Sequence, residues 1–347
     1  LMRSSAASDV YKRQDLNSAG NKAKTDIEQI MSAMGFKNVG LKQSHYTHPI
    51  PAFLFTLLGV LEAPFGLHKG DILVLQYPLK KYFTFVCRTA HWRKAKVVVI
   101  IHDLGSFRRK KLTVEKEMRR LNHADYIIAH NASMKSFLLQ NGYHAQVGEL
   151  GIFDYLSPHP IPKTEEPFPP YHIVYAGALA IRKNQFLYDV GRYINSYAFK
   201  LFGNGFEPAK AANSERLHYQ GFVPSDELIA QPQGHFGLVW DGASIHSCTG
   251  NFGEYLRYNN PHKTSFYLRC GMPVIIWKQA ALAPFIERQQ AGFCVDSLED
   301  IEGILQALTP ETYRTLKENA CRIGVKLANG DFVREALTTA IQQLKNQ

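Results

Sequence analysis

The chain has 347 residues, enough for two domains with separate cores. Its 45% hydrophobic and 20% charged content are those of a soluble globular protein and exclude a disordered or fibrous chain. A formal charge of +10 favours anionic partners: a nucleotide, a nucleic acid or the inner face of a membrane.

The first fourteen residues, LMRSSAASDVYKRQ, read like a translated cloning adapter. They are set aside, and the native first strand is expected to be missing. Asn17-Ser18-Ala19-Gly20 reads as a strand-to-helix loop, with a helix expected over 21–34. Residues 50–67 are the most apolar run, but Pro51, Glu62 and Pro64 interrupt it. It is too short to span a bilayer, so a buried or interfacial helix is expected. DILVL (71–75) is a short strand, 82–91 a helix, and KVVVII (96–101) a strand buried on both faces. A strand at 124–129 and a helix at 133–140 continue the alternation. Strands alternating with helices predict a parallel sheet covered on both sides.

From 153 to 170 the pattern lapses into FDYLSPHPIPKTEEPFPP, a proline-rich linker. Alternation then restarts. A strand at 171–176 runs into Gly177 and the basic pair Arg182-Lys183. A strand at 198–202 ends at Gly203-Asn204-Gly205. Residues 217–221 lead to a turn, and Ser225 is placed to cap the helix that follows. A strand at 237–240 precedes Asp241-Gly242, the last strand is 274–277, and the tail from 298 to 344 is helical throughout.

The stretch 250–277, GNFGEYLRYNNPHKTSFYLRCGMPVIIW, carries the most chemistry. Pro261 suits the first turn of a helix, where its missing N–H costs nothing. Free N–H groups at such a turn attract anions, and Lys263 adds a mobile cation. Asn260 and Thr264 add hydrogen bonds. A pyrophosphate suits that arrangement; so does an ordinary capped helix with a surface lysine. The five cysteines are scattered, with no metal-ligand spacing and no Asp-x-Asp pair, so no metal site and no cofactor is expected. In an open parallel sheet, ligands bind beyond the carboxyl ends of the strands. The loops at 17–20, 102–108, 177–183, 203–205, 241–251 and 260–263 are therefore the ones expected to form the site.

Several blocks resemble the bacterial β-1,6-galactofuranosyltransferases and related glucosyltransferases that build surface glycans and glycosylate adhesins. They are VWDG at 239–242, CTGNFGEYL at 248–256 and YNNPHKT at 258–264, with shorter matches NSAGNKAK, IHDLGSFR, YAGALAIRK and YQGFVPSDEL. The resemblance runs over nearly the whole chain from Asp15. It implies the α/β GT-B fold: two Rossmann-like domains facing across a cleft, with the last helix crossing back. The expected division is a leader at 1–14, an acceptor-side domain at 15–165, a nucleotide-sugar domain at 166–330 and a terminal helix at 331–347. It further implies inverting transfer without a required metal. The expected function is transfer of a hexosyl unit, galactofuranose from UDP-galactofuranose, to a polysaccharide or glycolipid. A UDP-glucose-dependent glucosyltransferase and a non-catalytic nucleotide-sugar-binding accessory protein are the alternatives.

In that frame Lys263 offsets diphosphate charge without a metal. Arg182 and Lys183, after Gly177, form a second clamp. Asn260 and Tyr258 touch base, ribose or phosphate. Asp241 and Glu254 bind sugar hydroxyls or cap helices, and Gly250 opens the donor block. Asn17 and Gly20 offer backbone N–H groups from the other domain. Asp103, with His102 beside it, is the candidate base that removes the acceptor proton. Each also has a plainer structural reading as a surface charge, a turn or a cap. The run Phe107-Arg108-Arg109-Lys110-Lys111 suits peripheral contact with an anionic inner membrane face. No aromatic array for nucleic acid is present, and a cytoplasmic location is expected.

Overall fold

The β-branched run at 96–101 becomes an inner strand of the first of two parallel sheets. In the computed structural model, residues 2–5, 19–39, 65–79, 82–108, 112–161 and 169–346 are described. The chain forms two compact units. One comprises Leu1–Asp154 with Gly330–Gln347, the other Tyr155–Asn329.

The sheet of the first unit contains β1 (Met2–Ser5), β2 (Lys37–Asn38), β3 (Ile72–Tyr77), β4 (Lys96–Ile101), β5 (Tyr126–Ala129) and β6 (Gln146–Glu149). Its order is β2-β1-β3-β4-β5-β6, with every pairing parallel. β3 and β5 are buried along their whole length and β4 is exposed only at Lys96, as a sheet covered on both faces requires. The leader contributes backbone here: Met2 pairs with Ile72 and Ser5 with Leu75. A parallel ladder is made by main-chain N–H and C=O groups, so it can be satisfied with little regard to side chains. The helices of this unit are α1 (Ala19–Ala33), α2 (Phe83–Trp92), α3 (Gly105–Arg108), α4 (Val114–Leu121) and α5 (Ala132–Gln140). Gly20 lies inside the first turn of α1 rather than in a turn before it. Asn17, residues 50–64 of the apolar run, 109–111 of the basic run and 162–168 of the linker lie outside the described residues.

The second sheet contains β7 (His172–Ala176), β8 (Ala198–Phe202), β9 (Leu217–Gly221), β10 (Phe236–Val239), β11 (Val274–Trp277) and β12 (Gly292–Val295). Its order is β12-β11-β10-β7-β8-β9, again parallel throughout. This is the doubly wound Rossmann order, whose direction reverses between β7 and β10. The helices are α6 (Phe186–Asp189), α7 (Ser225–Ala230), α8 (Gly250–Tyr255), α9 (His262–Arg269), α10 (Ala283–Gln289), α11 (Asp300–Gln306) and α12 (Pro310–Asn329). Ser225 is the first helical residue of α7, and the cap position falls on Pro224 with no side-chain hydrogen bond. α12 crosses α9 so closely that a Cβ on Gly324 would stand 2.5 Å from the Leu268 carbonyl oxygen.

The tail is not one continuous helix. Gly330, at φ +74, breaks it and lies against Ile30 of the first unit. α13 (Asp331–Lys345) then belongs to the first unit. Its opening N–H groups are capped by buried Asp154, which accepts from Val333 N at 2.7 Å and Phe332 N at 3.4 Å. Among the described residues, no helix is long and apolar enough to cross a membrane.

Candidate functional site

The carboxyl ends of β7 and β10 flank the point where the strand order of the second sheet reverses. β7 ends at Ala176, whose N–H donates to the Tyr267 hydroxyl at 2.9 Å. Gly177 follows at φ +144, a conformation that disfavours a side chain. The loop after β8 presses against it: a Cβ on Gly203 would sit 1.8 Å from the Gly177 carbonyl oxygen. Beyond β10, Gly242 (φ +122) and Gly253 are equally confined by Thr249, Cys248 and the Asp241 carbonyl. Glycine is needed at these points so that the loops can close on one another, which fixes the backbone of Asp241.

Lys263 enters from the first turn of α9. Pro261 occupies the cap position at φ −66 and ψ 126, with no side-chain cap. The lysine stem lies beside Gly177, and its Nζ sits over the Tyr175 ring, 4.3 Å from the centroid. Nζ donates to the Tyr175 hydroxyl at 2.9 Å, to Asp241 Oδ1 at 3.1 Å and to the Trp240 carbonyl at 3.4 Å. The Tyr175 hydroxyl lies 3.1 Å from both the Trp240 carbonyl and Asp241 Oδ1. Lys183 Nζ stands 3.9 Å from the same Asp241 oxygen and 5.2 Å above the Phe252 ring. Lys263 is thus a pinned cation rather than a mobile surface one. Its side chain is 17% exposed and that of Asp241 11%, so the cluster keeps a narrow solvent face.

Burial alone would raise the Asp241 carboxyl, but Lys263 and Lys183 outweigh it and hold the group below the usual carboxylate value. Burial pulls the Lys263 ammonium below the usual lysine value, with Asp241 acting against the shift and Lys183 adding to it. Burial, reinforced by the Asp241 charge, pushes the Tyr175 phenol well upward, so it stays a neutral hydrogen-bonding group. The cluster contains two ammonium groups and one carboxylate, and its surplus is positive. Such a site at a helix start can hold an anion of more than one charge.

The other predicted residues divide around this cluster. Arg182 is exposed, and among the described residues it adds no ion pair to Asp241. Asn260 and Thr264 are buried. Tyr258 is half-buried, and Gly250 opens α8 at φ +71. Glu254 is neither a cap nor a member of the cluster. It is exposed and bonds Arg257 Nε at 2.8 Å, while that guanidinium stacks 4.6 Å over Trp277. Tyr175 and Tyr267 escaped the sequence reading because YHIVYA and SFYL look like core. The usable clue was the place of Tyr175 near the end of the strand that precedes a glycine loop.

In the first unit, His102 and Asp103 follow β4 at its carboxyl end, as expected. His102 Nε2 is 2.6 Å from Gln76 Oε1, and its ring stacks on Phe153 at 5.4 Å. Buried His130 meets the same phenylalanine edge-on at 4.8 Å, and burial lowers its imidazole to about 3. The loop past Asp103 is held by Glu117, which is wholly buried. Glu117 accepts from Gly105 N at 2.8 Å, Ser106 N at 2.9 Å and the Tyr77 hydroxyl at 2.8 Å. Nothing in VEKEMRRL marks that glutamate as different from a solvated one.

Comparison with known proteins agrees with this architecture. The N-terminal domain model of the glucosyltransferase 3-like family matches residues 8–152, and the C-terminal model of the same family matches 173–340. The chain is 32% identical over 345 residues to the β-1,6-galactofuranosyltransferase WbbI of Escherichia coli K12, covering 97% of this chain and 100% of that protein. It is 25% identical over 331 residues to glucosyltransferase 3 of Streptococcus gordonii, covering 93% and 94%. Among solved structures, sucrose-phosphate synthase from Thermosynechococcus elongatus superposes with a TM-score of 0.60 at 14% identity, covering 99% of each chain. The two Rossmann-like units are those of a GT-B protein, and the chain belongs to the glucosyltransferase 3-like family of glycosyltransferases.

Proposed function

We propose that this protein is an inverting glycosyltransferase that needs no metal. It transfers a hexosyl unit, galactofuranose from UDP-galactofuranose, to a polysaccharide or lipid-linked acceptor. The observation that carries the reading is the cationic cluster of Lys263 and Lys183 at the reversal point of the second sheet, beside the first turn of α9. As the glycosidic bond to the nucleotide breaks, negative charge builds on the diphosphate, and a preset ammonium there stabilises the leaving group. Asp103 removes the acceptor hydroxyl proton, with His102 orienting it or acting in its place. The choice of galactofuranose leans on the 32% identity to a galactofuranosyltransferase. UDP-glucose is the second donor to test, given the similarity to glucosyltransferase 3.

Peripheral contact with an anionic membrane belongs to the same reading. Trp92 is 75% exposed and shares one face of α2 with Arg88 and half-exposed Phe85. Arg93 lies over the Trp92 ring at 5.8 Å.

The direct test is thermal unfolding with and without UDP, followed by a screen of UDP-sugars for transfer. UDP raises the melting temperature, and Lys263→Ala removes most of the rise. Absence of a shift with any nucleotide removes the donor-site assignment.

A further inference from the structure

We infer that Asp241 is the resident counter-anion of Lys263, a carboxylate that the diphosphate of an incoming donor must displace; the inference rests on the donor-site reading above. Lys263 Nζ is held 3.1 Å from Asp241 Oδ1, so a phosphate oxygen that takes up this ammonium must compete with the carboxylate. The cluster of Lys263, Lys183 and Asp241 carries one net positive charge. A diphosphate brings at least two negative charges, so it meets a site whose attraction is already half spent. Asp241 repels it as Lys263 attracts it.

The two partners differ in freedom. The Asp241 backbone is locked between glycines that tolerate no side chain: a Cβ on Gly253 would stand 2.8 Å from the Asp241 carbonyl oxygen, and one on Gly242 2.5 Å from that of Thr249. Its Oδ1 is also within 3.1 Å of the Tyr175 hydroxyl, which can keep donating when the lysine leaves. Lys263 has a flexible stem, and its side chain keeps 17% of its surface exposed. The ammonium therefore moves: it trades Asp241 Oδ1 for a phosphate oxygen on donor binding and returns when the nucleotide departs. No covalent bond changes in this exchange. Its consequence is kinetic as well as energetic, because the product nucleotide carries the same diphosphate. A carboxylate waiting to recapture Lys263 weakens product retention, and product release limits turnover in many transferases that close on their substrates.

This role separates Asp241 from a residue that reads sugar hydroxyls. Calorimetric titration with UDP, which has no sugar to read, is the test. It is run on the unmodified protein, Asp241→Asn, Lys263→Met and the double variant. Asp241→Asn is expected to bind UDP roughly tenfold more tightly at low salt, and to show a steeper loss of affinity as salt is added. On the Lys263→Met background the same change gives a smaller gain, since only the repulsion by Asp241 is relieved and only the more distant Lys183 is freed.

Unchanged or weaker UDP binding by folded Asp241→Asn overturns the inference while leaving the donor site standing. So does a loss confined to UDP-sugar. Failure of the unmodified protein to bind UDP removes the donor-site reading and the inference together. Should Asp241→Asn not fold, a crystal of the unmodified protein with UDP decides the matter. Lys263 Nζ on a phosphate oxygen and off Asp241 Oδ1 supports the exchange; an unbroken Lys263–Asp241 pair beside bound UDP refutes it.

Discussion

Lys263 meets Tyr175 twice: its Nζ lies 2.9 Å from the phenol oxygen and 4.3 Å from the ring centroid. One tyrosine thus supplies both a hydrogen-bond partner and a π face to an ammonium whose charge burial disfavours. Tyr175→Phe keeps the ring and removes the hydroxyl from Lys263, Asp241 and the Trp240 carbonyl. Urea unfolding should show a loss of about 1–3 kcal/mol, and Tyr175→Leu should lose more. A phenylalanine variant as stable as the parent would show that the hydroxyl is not a needed partner.

Gly203→Ala tests the closeness of the two glycine loops. The position has φ +142, and the new methyl would stand 1.8 Å from the Gly177 carbonyl oxygen. Backbone, not a flexible side chain, would have to give way. A loss of about 3 kcal/mol or more, together with the UDP-induced thermal shift, is expected. Full retention of that shift would mean that the loop after β7 can be rearranged without harm to the site.

Glu117→Ala strips the acceptor from Gly105 N–H, Ser106 N–H and the Tyr77 hydroxyl in the first unit. The expected cost is about 2–4 kcal/mol. The loop that carries Asp103 is thereby loosened, so transfer should fall by a larger factor than UDP affinity, which the proposed donor site assigns to the second unit. Steady-state kinetics beside a UDP titration separate the two; equal losses in both would argue for general damage.

Asp154 gives a pH dependence with a definite sign. Its buried carboxyl is raised to about 7 in the folded chain by burial, which the hydrogen bonds from Val333 and Phe332 only partly offset. In the unfolded chain it titrates near 4. The folded state holds the proton more tightly, so this contribution is complete below about pH 4 and is lost as pH rises through about 7. The difference amounts to at most about 4 kcal/mol. Asp154→Asn should flatten that part of the stability profile between about pH 4 and 7, measured as the difference from the parent in urea. Parallel profiles for the two proteins would count against the raised value.

Trp92 is a built-in reporter for the membrane reading, because Trp240 and Trp277 are fully buried. Vesicles rich in anionic lipid should shift its emission to the blue and shield it from aqueous quenchers, whereas neutral vesicles should not. Trp92→Ala with Phe85→Ala should weaken co-sedimentation. Emission that ignores anionic vesicles leaves the stripe with no membrane role.

Much of the two-sheet plan was legible in the chain. The strands at 96–101, 198–202 and 274–277 fall where their apolar, largely β-branched or aromatic runs predict. β6 and β12 were not foreseen, because QVGE and GFCV lack an apolar run and owe their extended form to pairing with β5 and β11. The helical tail was foreseen without its break, since one glycine in a helical pattern does not announce that it will adopt φ +74. The place of Lys263 in the first turn of a helix was legible from the Asn-Asn-Pro-His before it. Its pinned state was not.

What the sequence determined alone was the alternation of apolar strands and helices, the turn chemistry around its glycines, and a surplus of positive charge. These are local properties, fixed by backbone sterics and by which side chains water rejects. What only the folded chain decided was the company each charge keeps. Lys263 reaches Asp241 across 22 positions and Tyr175 across 88, and Glu117 reaches Tyr77 across 40. Such pairs form because the fold brings strand ends and helix turns that are distant in the chain side by side, and a buried charge must be met by the polar groups that lie there.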